Sequence, residues 1–321
     1  MEDSIQNIAG QFAFEPVIEH EDKLKPAQSF IVGGMGGSHL SAGLLKIIDP
    51  SVDLYIHRDY DLPTPVSDWH KKSLHIASSY SGNTEETLDF AEKAFAGGYN
   101  LAVISTGGKL IEFAKQHSIP HIVLPRANMQ PRVALGVSLI ALAKLVGGDM
   151  FVKKIQGEGL KLDPLRWKEV GGSVAEELKG KIPVIYSSRQ NLALAYSWKI
   201  KCNETAKIPA FYNVLPELNH NEMNGFDVIK STKKLSNDFS FIFLEDDQDH
   251  PKISRRMNVL KKVYEDRGLS VKTVPLTGSS VFEKVFNSLL LADWTALSLS
   301  RVYETEPEQV PMVEEFKKLI S

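Results

Sequence analysis

The sequence predicts an α/β protein made of two doubly wound domains, each a parallel sheet with helices on both faces. Three observations lead there. At roughly 150 residues per domain, a length of 321 argues for about two domains with real cores. Short β-branched runs alternate with helix-length segments, the pattern of βαβ units. The element order of the first half then recurs in the second, with little residue identity. A composition of 43% hydrophobic and 24% charged residues suits a folded chain and excludes overall disorder.

Residues 1–25 read as a leading helix with Ile5, Ile8, Phe12 and Phe14 on one face, followed by a linker through Pro26. A β-branched run from Ser29 stops at G-G-M-G-G-S (33–38), and Leu40, Leu44, Leu45 and Ile48 mark a helix. Residues 74–77 form a second strand, broken by S-S-Y-S-G-N-T-E-E-T (78–87), with a helix through Ala96. A strand over 101–104, a helix near 109–117, a strand over 121–124 and a long helix from about 133 to 145 complete the half. The second half follows with a strand over 183–186, S-S-R-Q-N, and an apolar helix over 191–201. A strand over 239–244, a helix over 255–267, a strand over 270–274 and a helix from about 281 to 303 close it. The division falls in the Gly- and Lys-rich stretch near 150–180, giving domains 1–155 and 156–321.

Charge and cysteine content narrow the partners. Lys and Arg number 37 against 40 Asp and Glu, so the net charge is 37 − 40 = −3. No basic stripe recurs, and the pI is about 6.3, so no nucleic-acid partner is expected. The single cysteine, Cys202, has no intrachain partner for a disulfide and reads as a buried structural thiol. The start M-E-D-S-I-Q lacks a signal-peptide pattern. The most apolar stretch, 133–146, is interrupted by Lys144 and falls short of the ~20 residues a spanning helix needs. A cytoplasmic protein without a membrane partner is the expectation.

In open parallel sheets, ligands bind beyond the carboxyl ends of strands, where turns open into helices. The first turn offers Gly36, Gly37 and the Ser38 hydroxyl; the second offers Ser79, Ser81, Thr84 and Thr87 around Gly82. Hydroxyls and backbone N–H groups at a helix start suit a phosphate dianion. The plain alternative is helix capping, with Asn83 and Glu86 spaced as a capping box. A dinucleotide fingerprint would need Gly at position 39, where His39 stands, and no Gly-Lys-Ser/Thr marks a nucleotide-triphosphate loop. A small phosphorylated ligand fits better than a nucleotide.

Other features stand open between chemistry and plain surface. Glu204 in N-E-T-A-K-I-P-A (203–210) sits near a helix end, where a carboxylate in a cleft could act as a base; alone it reads as a solvated glutamate. His220, among Asn219, Asn221 and Asn224, is either an acid/base group or a plain hydrogen-bonding residue. Arg132, after Gln130-Pro131, could neutralise an oxyanion, though an arginine at a helix start is usually a surface charge. His117 and His121 are four apart, but Pro120 denies them a shared helical face, so a metal site is not expected. Tyr80-Ser81-Gly82 lacks the leading glycine of a hydrolase nucleophile elbow.

Taken together, G-M-G-G-S, S-Y-S-G-N-T-E-E-T, Q-P-R, N-E-T-A-K-x-P, E-x-x-H-N-E and E-E-F-K-K-L, in this order over nearly the whole chain, resemble the bifunctional phosphoglucose/phosphomannose isomerase family of the sugar-isomerase (SIS) superfamily. The resemblance implies two flavodoxin-like SIS domains and a homodimer. It implies a phosphate site at Gly36, Gly37, Ser38, Ser79, Ser81 and Thr84, and Glu204 as the base shuttling a proton between C1 and C2. Arg132 would steady the enediolate. His220, reaching in from the partner subunit, would open the sugar ring with help from Lys317. The activity implied is interconversion of glucose 6-phosphate, and of mannose 6-phosphate, with fructose 6-phosphate, requiring no metal or redox cofactor. Relatives often carry Pro-Thr-Pro before the C-terminal helix, with the threonine linked to mannose 6-phosphate; here the segment is Glu306-Pro307-Glu308-Gln309-Val310-Pro311. Two other readings use the same turns. A non-catalytic phosphosugar-sensing regulator would usually carry a DNA-binding domain, and no helix-turn-helix stretch stands outside the two halves. An amino-sugar isomerase would usually follow an N-terminal cysteine glutaminase.

Overall fold

The computed structural model describes residues 1–65, 67–126 and 129–320. The chain divides into two compact units, Gln6–Leu162 and Asp163–Ser321, with Met1–Ile5 belonging to the latter. The division falls seven residues beyond the expected 155/156 boundary, because a helix runs through that stretch to Gly159.

No single leading helix forms. Two short ones do, α1 (Glu2–Gln6) and α2 (Ile8–Gln11), and the chain is then irregular up to a 3-10 turn at Glu21–Lys23. Gly10 weakens a helix, and Pro16 cannot continue one. The two ends also serve different units: Glu2 pairs with Lys168 at 2.7 Å and with Arg301, whereas Phe12 is fully buried in the unit that begins at Gln6.

The first unit is a five-stranded parallel sheet in the order β2-β1-β3-β4-β5. Its strands are β1 (Ser29–Gly33), β2 (Asp53–His57), β3 (Leu74–Ser78), β4 (Leu101–Ser105) and β5 (His121–Val123). The helices are α3 (Leu40–Ile48), α4 (Asp68–Lys72), α5 (Glu85–Ala96), α6 (Gly108–Gln116) and α7 (Leu135–Gly159). Every residue of β1, β3 and β4 is buried, as expected for inner strands covered on both faces. β2, which the sequence did not announce, is an edge strand with Asp53 and Tyr55 exposed. α7 outruns its expected end near 145, kinking at Gly148, whose φ of 66° and ψ of −163° leave the helical region. By length and composition alone it could cross a membrane, but its apolar half is core: Leu139, Ile140 and Ala141 are fully buried.

The second unit repeats the plan with one strand fewer, in the order β7-β6-β8-β9. The strands are β6 (Ile182–Ser188), β7 (Phe211–Leu215), β8 (Phe239–Glu245) and β9 (Ser270–Pro275), all parallel. The helices are α8 (Lys168–Leu178), α9 (Leu192–Lys201), α10 (Lys233–Ser236), α11 (Pro251–Glu265), α12 (Val281–Val302) and α13 (Pro311–Ile320). One face packs Tyr186, Phe241, Phe243, Met257, Leu260 and Tyr264. On the other, Trp198 and Trp294 are fully buried, with the Trp198 indole N–H donating to Ser288 Oγ at 3.0 Å. In both units the second strand lies on one side of the first and the third on the other, which is the flavodoxin-like switch. The expectation of two flavodoxin-like α/β/α domains with parallel sheets is met.

Candidate active site

β1 and β3 lie side by side with Gly33 opposite Ala77, so the turns that follow them emerge together at the switch point of the first unit. Glycine makes the approach possible: a Cβ on Gly34 would stand 2.6 Å from the Ser78 carbonyl oxygen. The turns are then stitched through hydroxyls. The Tyr80 N–H donates to Ser38 Oγ at 2.9 Å, and Ser78 Oγ donates to the Ser38 carbonyl at 3.3 Å. The Gly82 N–H donates to Ser79 Oγ at 3.1 Å, the Asn83 N–H to Ser81 Oγ at 3.3 Å, and Ser79 Oγ lies 2.8 Å from Thr84 Oγ1. A hydroxyl that accepts from the backbone keeps its own O–H as a donor, which is what an anion recruits.

Gly82 has φ of +72°, and a Cβ there would sit 1.8 Å from the Gly107 carbonyl oxygen, so only glycine fits. The capping box expected from Asn83 and Glu86 does not form. α5 starts at Glu85 behind Thr84, and Asn83 Oδ1 instead accepts the Lys109 N–H at 3.1 Å, tying the turn to the start of α6. Thr87, counted among the turn hydroxyls from the sequence, points into the core at 1% exposure.

The Gln130-Pro131-Arg132 segment closes against the first turn. A Cβ on Gly37 would lie 2.8 Å from the Pro131 carbonyl carbon and 3.0 Å from the Arg132 nitrogen. Arg132 is 1% exposed, which overturns its plain reading as a surface charge at a helix start. A guanidinium does not shed its proton on burial, so Arg132 keeps a positive charge within a segment whose backbone abuts the first hydroxyl turn. Gln11 clips this corner: its amide donates to the Val133 carbonyl at 2.8 Å and accepts the Gly136 N–H at 2.9 Å. His39, next to Ser38, is buried, and burial together with the Arg58 charge pulls its pKa down to about 4, so the imidazole is neutral. Arg58, one residue past β2, is a second cation at this rim; a lone arginine in an unrecognised edge-strand loop gave the sequence no signal for it.

The remaining expected residues belong to the second unit. α9 runs into a π-helical turn, Cys202–Ala206, which carries Glu204 half-buried. Cys202 beneath it is buried and free, its thiol pushed up to about 12 by burial, consistent with a structural thiol. The turn is anchored by Lys201 and Asp293, 2.5 Å apart and 1% and 2% exposed. His220 ends a short 3-10 turn, Glu217–His220, and is exposed. Lys317 stands on α13, exposed, 2.8 Å from Glu314. The first unit thus gathers Gly36, Gly37, Ser38, Ser79, Ser81, Thr84 and Arg132, while Glu204, His220 and Lys317 come from the second.

The second unit's own switch point is lined with different groups. At the carboxyl ends of β6 and β8, Lys284 Nζ donates to Asp246 Oδ1 at 2.9 Å and to Asp247, and Asn191 donates to Asp246 Oδ2 at 3.1 Å. Burial works to raise the Asp246 carboxyl, but the bonds from Lys284, the Gln248 N–H and Asn191 hold it below the ordinary range. An adjoining crevice of about 380 Å³ is lined by Glu245, Asp246 and Asp247. Carboxylates there have the wrong sign for a phosphate, whereas the hydroxyl turns of the first unit present donors.

Comparison with known proteins places the chain in a family. Residues 168–320 match the family model described as "Bacterial phospho-glucose isomerase C-terminal SIS domain". A protein of Aquifex aeolicus named bifunctional phosphoglucose/phosphomannose isomerase is 31% identical over 318 residues, 98% of this chain and 96% of that one. One of the same name from Caldicellulosiruptor bescii is 32% identical over 316 residues, 93% of this chain and 91% of its own. Among solved structures, a Thermus thermophilus chain described only as a hypothetical protein superposes with a TM-score of 0.68 at 17% identity, over 99% of this chain and 87% of that one, which speaks for the fold. On the strength of near-full-length identity across both units, this chain belongs to the bifunctional phosphoglucose/phosphomannose isomerase family.

Proposed function

We propose that this protein is an aldose–ketose isomerase that interconverts glucose 6-phosphate and mannose 6-phosphate with fructose 6-phosphate through an enediolate, without a metal or redox cofactor. One observation carries the reading: two hydroxyl-lined turns, bound to each other, lie against a buried arginine at the switch point of the first sheet. Ser38, Ser79, Ser81 and Thr84, with the backbone at Gly36 and Gly37, hold the phosphate; that remote binding energy positions the reacting carbons. In the aldose-to-ketose direction Glu204 removes the C2 proton, charge develops on O1, and Arg132 stabilises it without titrating. After exchange with solvent, Glu204 delivers a proton to C1, O1 is protonated, and O2 loses its proton to become the ketose carbonyl. Because the intermediate is planar at C2, return of a proton there to either face gives the glucose or the mannose epimer.

His220, assisted by Lys317, opens the ring by moving a proton onto the ring oxygen. Glu204 and His220 flank β7, whose five residues span roughly 13 Å at ~3.3 Å per step. The protein is read as a homodimer in which each His220 serves the partner's Glu204, on the strength of the family resemblance. A cytoplasmic setting belongs to the same proposal, supported by a lone cysteine that is buried and unpaired.

Coupled assays for glucose 6-phosphate and mannose 6-phosphate formation from fructose 6-phosphate test the activity, and Glu204→Gln tests the base. Loss of turnover with substrate binding retained is expected; a fully active variant would overturn the role of Glu204. Saturable binding of fructose 6-phosphate to the wild type with no product would move the chain to the sensing class.

A further inference from the structure

Lys207 follows the π-helical turn that carries Glu204, and its backbone is left-handed, with φ of 59° and ψ of 32°. A non-glycine residue is strained in that region and persists only where its surroundings hold it. The side chain supplies a reason. Lys207 Nζ donates to the Glu204 carbonyl oxygen and, at 2.6 Å, to the Gln309 carbonyl oxygen. One ammonium thus joins the turn bearing the proposed base to the segment that leads into α13, the helix bearing Lys317, across 102 residues of sequence.

Both ends of this link are reinforced. Thr305 Oγ1 donates to the Ala206 carbonyl at 3.4 Å, one residue from Lys207. The Glu306 carboxylate accepts the Glu308 N–H at 2.9 Å and the Gln309 N–H at 2.6 Å, holding the residue whose carbonyl Lys207 binds from its other side. A π-helical turn leaves its last carbonyls without the i→i+4 partners of an α-helix, so an ammonium there satisfies an acceptor as well as bridging two segments.

We propose that Lys207 is a positioning residue for the isomerase reaction, clamping the Glu204 turn to the Glu306–Gln309 segment so that base and α13 keep one geometry. The inference rests on the assignment of Glu204 as the base. The lysine touches backbone oxygens, so its effect reaches the substrate through Glu204 and α13. A base displaced by a fraction of an ångström still permits phosphate binding but slows proton transfer, by up to about 100-fold for a displacement near 1 Å. The signature is therefore a fall in kcat with little change in KM.

Three variants separate this clamp from a backbone role. Lys207→Met removes the ammonium while keeping bulk. Lys207→Asn removes it while providing a residue that tolerates the left-handed conformation. Lys207→Arg keeps a cationic donor. Steady-state kinetics on fructose 6-phosphate, with thermal unfolding of each variant, should show Met and Asn both reducing kcat by about 10- to 100-fold, KM within about threefold, and Arg recovering part of the loss. Wild-type kcat in Lys207→Asn, or equal losses in all three tracking a lowered Tm, would overturn the clamp. An inactive Glu204→Gln beside a fully active Lys207→Met would overturn the clamp alone, whereas an active Glu204→Gln would overturn the base on which it rests.

Discussion

Replacing Gly37 by alanine adds one methyl group where the first hydroxyl turn meets Pro131 and Arg132. The methyl carbon would begin 2.8 Å from the Pro131 carbonyl carbon, 2.9 Å from Pro131 Cβ and 3.0 Å from the Arg132 nitrogen. Ordinary contact starts at 3.4 Å, so the turn must move by 3.4 − 2.8 = 0.6 Å from the arginine segment. The obstacles are backbone and a proline ring, which cannot swing aside. Overpacking of this kind costs about 1–3 kcal/mol of stability, and a 0.6 Å displacement of phosphate-binding hydroxyls from the oxyanion-stabilising arginine should lower kcat/KM by roughly 10-fold. Gly36→Ala is the matched comparison. Gly36 has φ of +52° but nothing within 4 Å of a Cβ, so alanine there brings about 1 kcal/mol of backbone strain without forcing the two segments apart. The assay couples glucose 6-phosphate formation to its NADP-linked dehydrogenase, with Tm recorded for both variants. A folded Gly37→Ala enzyme with wild-type kcat/KM would refute the claim that this contact sets the site.

Further outcomes follow from the same structure. Ser38→Ala and Ser81→Ala should each raise KM for fructose 6-phosphate several-fold, because each removes a donor already aligned by a backbone N–H; unchanged KM in both would remove the phosphate from these turns. His39 and His75 are both lowered by burial to about 4 from 6.5, with the Arg58 charge adding to the effect at His39. The unfolded chain therefore binds more protons between those values, so their contribution is intact above pH 6.5 and lost as pH falls towards 4. The loss is about 2 kcal/mol per histidine at pH 5, and His75→Phe should remove about half of the resulting fall in Tm. Breaking the Lys201–Asp293 pair by Lys201→Met alone should cost about 3–5 kcal/mol by stranding a buried carboxylate, while Lys201→Met with Asp293→Leu should regain most of it; a Lys201→Met protein as stable as wild type would show the pair to be dispensable.

The inner strands were legible because burial on both faces writes a continuous apolar run: S-F-I-V-G and L-A-V-I-S admit little else. Two of the four edge strands, β2 and β7, were not. D-L-Y-I-H and F-Y-N-V-L are only partly buried, so their composition resembles a loop until the neighbouring strand is known, whereas the edge strands β5 and β9 were expected from their β-branched runs. The leading segment misled in another way, since Ile5, Ile8 and Phe12 have helical spacing, yet the chain crosses between units there. At the site, hydroxyls and glycines announced themselves in the turns. Arg132 looked like any helix-start charge because the corner that holds it is fixed by Gln11, 122 residues before Val133, and not by its sequence neighbours alone. Lys207 carried no signal, since its partner carbonyl lies 102 residues on.

Proton transfer by Glu204 on a sugar held by its phosphate can be followed by proton NMR of fructose 6-phosphate with the protein in deuterium oxide and EDTA, beside Glu204→Gln. The wild type should give glucose 6-phosphate and mannose 6-phosphate carrying deuterium at C2, and Glu204→Gln should give none. Product formed without any deuterium at C2, or deuterium incorporated equally by Glu204→Gln, would contradict it.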